Sequence, residues 1–111
     1  MKIRINNPEG NNDYLSIPKY CWEKAIKEEQ LTRAEFCLFL YLANHADKKL
    51  IDLNRDQFEE VTGYKKTAYN DALRTLKEKG YLIQKGVCQY DFYIMPFRID
   101  GKIPEYMFGE M

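Results

Sequence analysis

From Leu31 onward the chain alternates short segments of helical or strand-like apolar spacing with polar breaks. Phe36, Phe39, Leu40 and Ala43 fall at i, i+3, i+4 and i+7, and Leu38, Tyr41 and Leu42 widen the stripe. A helix apolar around most of its girth belongs in the middle of a core. Its start is marked by Thr32 and Glu35, spaced as a capping box, with Leu31 placed to staple onto Phe36. HADKK at 45–49 is a polar break, and LIDLN at 50–54 alternates as a short strand does. Asn54 is positioned to cap the next helix, RDQFEEVT, with Gln57 as its partner three residues on. Leu53, Phe58 and Val61 are its expected buried contacts, and Gly63 is its expected stop.

The segment TGYKKTAYNDALRTLKEKG, residues 62–80, has two unlike faces. Tyr69, Ala72, Leu73 and Leu76 recur at helical spacing on one side, while Lys66, Asn70, Arg74 and Lys77 follow the same rhythm on the other. Gly80 closes this helix. YLIQKGVCQYDFYIM then predicts a β-hairpin with its turn near Lys85–Gly86 or just after, and Pro96 ends the sheet because it has no N–H to donate. Upstream, SIPKYCWEKAIKEEQ predicts a short helix opened by Ser16 or the Pro18 region, with Tyr20 or Cys21, Trp22, Ala25 and Ile26 sharing a face. Trp22 is expected in the core first and at a dimer contact second. The first 14 residues, rich in Asn with Pro8 and Gly10, read as a flexible arm. Residues 15–96 form the expected domain and 97–111 a tail. That tail scatters Ile99, Ile103, Tyr106, Met107 and Phe108 without a period.

Composition narrows the function classes. At 111 residues, 45% hydrophobic and 31% charged, the chain suits one globular domain and not a disordered one. The most apolar stretch, around CLFLY at 37–41, is far shorter than the ~20 residues a membrane-spanning helix needs. The N-terminus lacks the apolar centre of a signal peptide, so a cytoplasmic location is expected. Cys21, Cys37 and Cys88 are odd in number and far apart, which predicts buried thiols in a reducing compartment. Formal net charge is zero, yet residues 62–86 carry Lys65, Lys66, Arg74, Lys77, Lys79 and Lys85 against only Asp71 and Glu78. A local excess of this kind can select a partner when the global sum cannot.

Catalytic constellations find little support. His45 is the only histidine, and with the three cysteines it makes no zinc-ligand spacing. Glu28–Glu29 and Glu59–Glu60 are adjacent pairs that point apart on a helix, and no Gly-rich phosphate loop occurs. Among the tyrosines, Tyr64, Tyr69, Tyr81 and Tyr90 are expected to pack the core and the hairpin. No enzyme activity, metal, cofactor or small-molecule substrate is implied.

The segments LTRAEFCLFLYLA, IDLNRDQFEEVTG, YKKTAYNDALRTLKEKG and YLIQKGVCQYDFYIM, in that order, resemble the winged helix-turn-helix family of DNA-binding domains over about residues 31–95. The flavour is that of small bacterial plasmid or phage proteins. The resemblance implies an α+β fold with a three-helix core, an added N-terminal helix, a short strand and a C-terminal hairpin wing. It also implies that the third helix enters the major groove of duplex DNA and that the wing lies along the backbone. Carried onto this chain, groove contacts fall to Lys65, Lys66, Thr67, Asn70, Asp71 and Arg74. Phosphate contacts fall to Lys77, to Asn54 and Arg55, and to Gln84, Lys85 and Gln89. Chemistry supports the choice independently: a guanidinium suits guanine, an amide suits adenine, and lysines displace counterions from phosphates. A homodimer on paired half-sites is expected, its candidate interfaces being the first helix and the tail. The expected role is an accessory or initiator protein in replication, partition or conjugative transfer. A transcriptional regulator and a winged-helix protein-interaction module remain the alternatives.

Overall fold

The computed structural model describes residues 1–11, 13 and 15–98. It is an α+β fold. In chain order the described elements are β1 (Lys2–Asn6), α1 (Lys19–Glu23) running into a π-helical turn (Lys24–Glu28), α2 (Arg33–Ala43), β2 (Leu50–Asp52), α3 (Arg55–Thr62), α4 (Lys66–Lys79), β3 (Leu82–Gly86) and β4 (Gln89–Tyr93). The four strands form one mixed sheet in the order β2-β1-β4-β3.

The expected flexible arm is corrected here. KIRIN alternates, with Ile3 and Ile5 fully buried between exposed Lys2 and Arg4. Strand β1 pairs antiparallel with β2, Ile3 opposite Ile51, and parallel with β4, Ile3 opposite Tyr90 and Ile5 opposite Phe92. It occupies the inside of the sheet, so the short strand and the hairpin are joined through it. Asn7 then anchors the exit of β1. Its fully buried side-chain amide donates to the carbonyls of Ser16 and Ala43, both at 3.0 Å, and its backbone N–H donates to Asp47 Oδ1. A buried amide with these partners is stabilising, whereas an unpaired one would cost about 1–3 kcal/mol.

Helix α2 lies in the middle of the core, as its girth requires. Thr32 and Glu35 close the reciprocal capping box, at 3.4 and 2.9 Å. The Phe39 ring meets Tyr81 and Phe92 edge-on at 5.4 and 5.8 Å and stacks on Phe36 at 5.6 Å. One side chain thereby joins α2 to the sheet and to the residue that leads into β3. Asn54 caps α3 by accepting from the Gln57 N–H at 2.9 Å, but among the described residues the Gln57 side chain returns no bond. Gly63 and Gly80 end α3 and α4 with φ of 81° and 94°, a left-handed geometry that favours glycine. Phe58 is buried against Tyr64 and Tyr69, whereas Val61 is exposed, contrary to expectation.

The first helix departs from its expected face. Glu29 N–H bonds to the Lys24 carbonyl, five residues back, so the turn is wider than an α-helix. Cys21 and Ala25 point into the core, while Tyr20, Trp22 and Ile26 are exposed, so Trp22 is not a core residue. The core draws on all four helices, not on three with an appendage. Of the thiols only Cys21 is buried; Cys37 is half-buried and Cys88 is exposed in the hairpin turn. The domain also runs past Pro96. Phe97 N–H donates to the Gly80 carbonyl at 2.8 Å, its ring packs on Tyr93, and Arg98 pairs with Glu29. The remaining tail, with Ile99, Ile103, Tyr106, Met107 and Phe108, lies outside the described residues.

Because β1 links the two halves of the sheet, Ile5→Ala should destabilise the protein by about 2–5 kcal/mol. A urea unfolding midpoint unchanged from wild type would contradict the central placement of β1.

Candidate nucleic-acid interface

The geometry of α4 follows from its two faces. Tyr69, Ala72, Leu73 and Leu76 are buried, and the helix packs on α2, α3 and β3. That inner face fixes the roll of the helix and turns Lys66, Thr67, Asn70, Asp71 and Arg74 outward together, all exposed. Three residues, 63–65, connect α3 to α4, with Gly63 supplying the bend. Lys65 stands at the cap in extended conformation and makes no side-chain cap bond; its ammonium instead reaches Glu59 of α3 at 3.5 Å.

Two further cations on this surface already have partners. Arg74 Nη2 lies 3.0 Å from Asp71 Oδ1, one turn apart and both exposed. Such a surface pair is worth a few tenths of a kcal/mol, which a bidentate guanine contact of about 1–3 kcal/mol outweighs. Lys77, half-buried, places its ammonium 4.7 Å from the centre of the Tyr90 ring and so ties the last turns of α4 to β4. Lys66 has no ion pair among the described residues.

The other expected contacts are spread over two further elements. In the hairpin, Gln84 donates to the Gly86 carbonyl at 2.9 Å, half-buried Lys85 sits at a register shift between Gln84 and Gly86, and Gln89 is exposed. The turn falls at Val87–Cys88, within the expected range. At the start of α3, Asn54 spends its side-chain oxygen on the cap, and Arg55 lies 3.8 Å from Asp56. The side chains of Asn54 and Gln84 are thus committed to local bonds, which leaves Arg55 and Gln89 the more available at these two elements. Tyr90, expected only as packing, is also the aromatic partner of Lys77. Its period-2 alternation in the hairpin carried no hint of the helix opposite.

A second cluster, at the other end of α4, is the most perturbed electrostatically. Arg98 forks onto the nearly buried Glu29 carboxylate and donates from Nε to the Lys79 carbonyl at 3.0 Å. Beside it the fully buried Tyr81 hydroxyl has no hydrogen-bond partner among the described residues. Burial, and then the Glu29 charge, push its pKa far above the usual tyrosine value. Burial also pushes the Cys21 thiol up. Activated nucleophiles have depressed pKa values, so this cluster reads as a tie between α1, α4 and the chain after β4. Among the described residues no group of His, Cys, Asp or Glu is arranged to hold a metal ion, and no helix is long and apolar enough to cross a membrane.

Compared with known protein families, curated proteins and solved structures, the chain matches none of them. The physical reading of its surface therefore carries the functional argument.

The buried tyrosine generates a pH prediction. Unfolded tyrosines release their protons near pH 10, while the Tyr81 hydroxyl in the fold stays protonated above that. Its contribution is therefore complete below about pH 10 and lost as pH rises further. Tyr81→Phe should leave stability at neutral pH unchanged or raise it by about 1 kcal/mol. It should also make the alkaline decline between about pH 9 and 11 shallower. Cys21, Tyr41, Tyr69 and Tyr93, all raised by burial, contribute to the decline that remains. Urea unfolding across that range measures both effects.

Proposed function

We propose that the protein is a winged helix-turn-helix protein that binds duplex DNA without catalysis, α4 serving as the recognition helix and β3–β4 as the wing. The observation that carries this reading is the outer face of α4, where Lys66, Thr67, Asn70, Asp71 and Arg74 are exposed together on a helix fixed by its buried side. The order α2, β2, α3, short Gly turn, α4, hairpin supports it. Arg74 would take guanine, Asn70 adenine, and Asp71 the amino group of cytosine. Lys65, Lys66 and Lys77, with Arg55 and Gln89, would hold phosphates and set the register of the helix on the duplex.

A single domain with a handful of phosphate contacts binds modestly, so a homodimer on two half-sites belongs to the proposal. The exposed Tyr20, Trp22 and Ile26 of the first helical segment supply an apolar surface for it. We place the protein in the cytoplasm, in replication, partition or conjugative transfer of a plasmid or phage. Tandem repeats as the bound sites would favour that role, and a promoter palindrome would favour a transcriptional regulator. The same exposed apolar residues suit a protein-interaction module, which predicts no salt-dependent retention of DNA.

The double variant Lys66→Ala/Arg74→Ala should weaken binding to the native replicon's DNA about tenfold or more. It should also lower the slope of log K against log salt by about 1 to 2. A gel shift across a salt series reads both. Unaltered affinity and slope would remove α4 from the interface.

A further inference from the structure

The outer face of the sheet, turned away from the helices, is unevenly exposed. Ile83, Asp91, Arg4 and Leu50 stand opposite one another in a row that crosses β3, β4, β1 and β2. The neighbouring rung of the hairpin sets Leu82 opposite Phe92, and both lie in the core. Strand alternation therefore puts the row on the other face. Arg4 and Leu50 are exposed there and Asp91 is half-buried, but Ile83 is only 1% exposed.

That gradient runs the wrong way for a bare sheet. Strand β3 is at the edge, so Ile83 has a neighbouring strand on one side only and should be the most open residue of its row. The core does not shelter it. Every buried apolar side chain of the helices belongs to one core cluster, and Ile83 alone of the buried apolar residues described does not. Its cover lies on the outer face.

The chain after β4 leads towards that place. The Phe97 ring packs on Tyr93, two residues beyond Asp91 on the same strand and therefore on the same face. Phe97 N–H then bonds to the Gly80 carbonyl and Arg98 Nε to the Lys79 carbonyl, at the foot of β3. From Gly80 to Ile83 is about 10 Å along an extended strand. Residues 99–111 follow Arg98, with Ile99, Ile103, Tyr106, Met107 and Phe108 among them. Four extended residues already span about 13 Å, so the segment has both the reach and the apolar side chains to cover Ile83.

We propose that residues 99–111 dock across the outer face of β3 and β4 in the same molecule, with their apolar side chains over Ile83. The hairpin is then packed on one face by the helices and on the other by the tail, so the strands read above as the wing are held from both sides. The tail is thereby withdrawn from the candidate dimer surfaces, which leaves the first helical segment. The inference does not depend on DNA binding.

The test is NMR of the whole chain with its isoleucine δ1 methyls isotopically labelled. A nitroxide is attached at Lys102→Cys or Glu105→Cys in a Cys37→Ser/Cys88→Ser background, which leaves the apolar tail residues intact. Either label should broaden the Ile83 methyl several-fold more than that of Ile51 on the far edge strand. A mixture of isotope-labelled protein without nitroxide and unlabelled protein carrying it should leave Ile83 sharp. A soluble paramagnetic agent gives a second readout: Ile83 should be shielded in wild type and reached in Ile103→Ser/Phe108→Ser. Broadening of Ile26 in place of Ile83 would put the tail on the first helical segment. Broadening in the mixture would make a second copy the cover, and an Ile83 still shielded in the serine variant would mean that something else covers it. Each of these three results overturns the proposal.

Discussion

The pairing of β1 with β2 on one side and β4 on the other holds the structure's two halves in one sheet. Through it Ile3 and Ile5 enter the core beside Phe92, and Phe92 in turn packs on Phe39 of the central helix. The pairing also fixes where the hairpin ends relative to the start of α3, since Lys2 N–H bonds to the Cys88 carbonyl in the hairpin turn and Leu53 N–H, just before the α3 cap, bonds to the Met1 carbonyl. A strand in this place makes the spacing of the surface elements a property of backbone hydrogen bonds. Flexible side chains do not have to hold it.

The same economy governs α4. Its buried face, packed on α2 and α3, leaves a single rotational setting, and the outward cluster of Lys66, Asn70 and Arg74 is a consequence of that setting. Lys77 over Tyr90 adds a weaker tie between the last turns of the helix and the hairpin. At the same end of α4, Arg98 bonds to the Lys79 carbonyl and, through Glu29, carries the chain beyond β4 onto the first helical segment. The polar interactions of the core therefore serve to set positions, while apolar burial supplies most of the stability, at about 1.5–3 kcal/mol for each large side chain.

The electrostatics separate two regions of the molecule. The outer face of α4 is exposed and carries weak pairs that a ligand can displace, such as Arg74 with Asp71. In the other region Glu29 and Tyr81 are buried, Arg98 reaches in from the surface to pair with Glu29, and the Tyr81 hydroxyl has no partner among the described residues. A binding surface needs the first kind of site, and a structural lock needs the second.

Local patterns in the sequence determined the caps at Thr32 and Asn54, the stops at Gly63 and Gly80, the period of α2 and α4, and the hairpin. Each depends on residues within a few positions of one another, so propensity and hydrogen bonding act without the rest of the chain. The outward residues of α4 were legible for the same reason. Tertiary structure alone decided that KIRIN is an internal strand. Five residues beside a run of Asn, Pro and Gly cannot stabilise a strand, and both partners lie more than forty residues away. It also decided that Trp22 faces water, because, of two neighbouring i, i+4 pairs, the core took Cys21 and Ala25 and left Trp22 and Ile26 outward. And it decided which cations have partners, since the distances from Lys77 to Tyr90 and from Arg98 to Glu29 exist only once the sheet has closed on the helices.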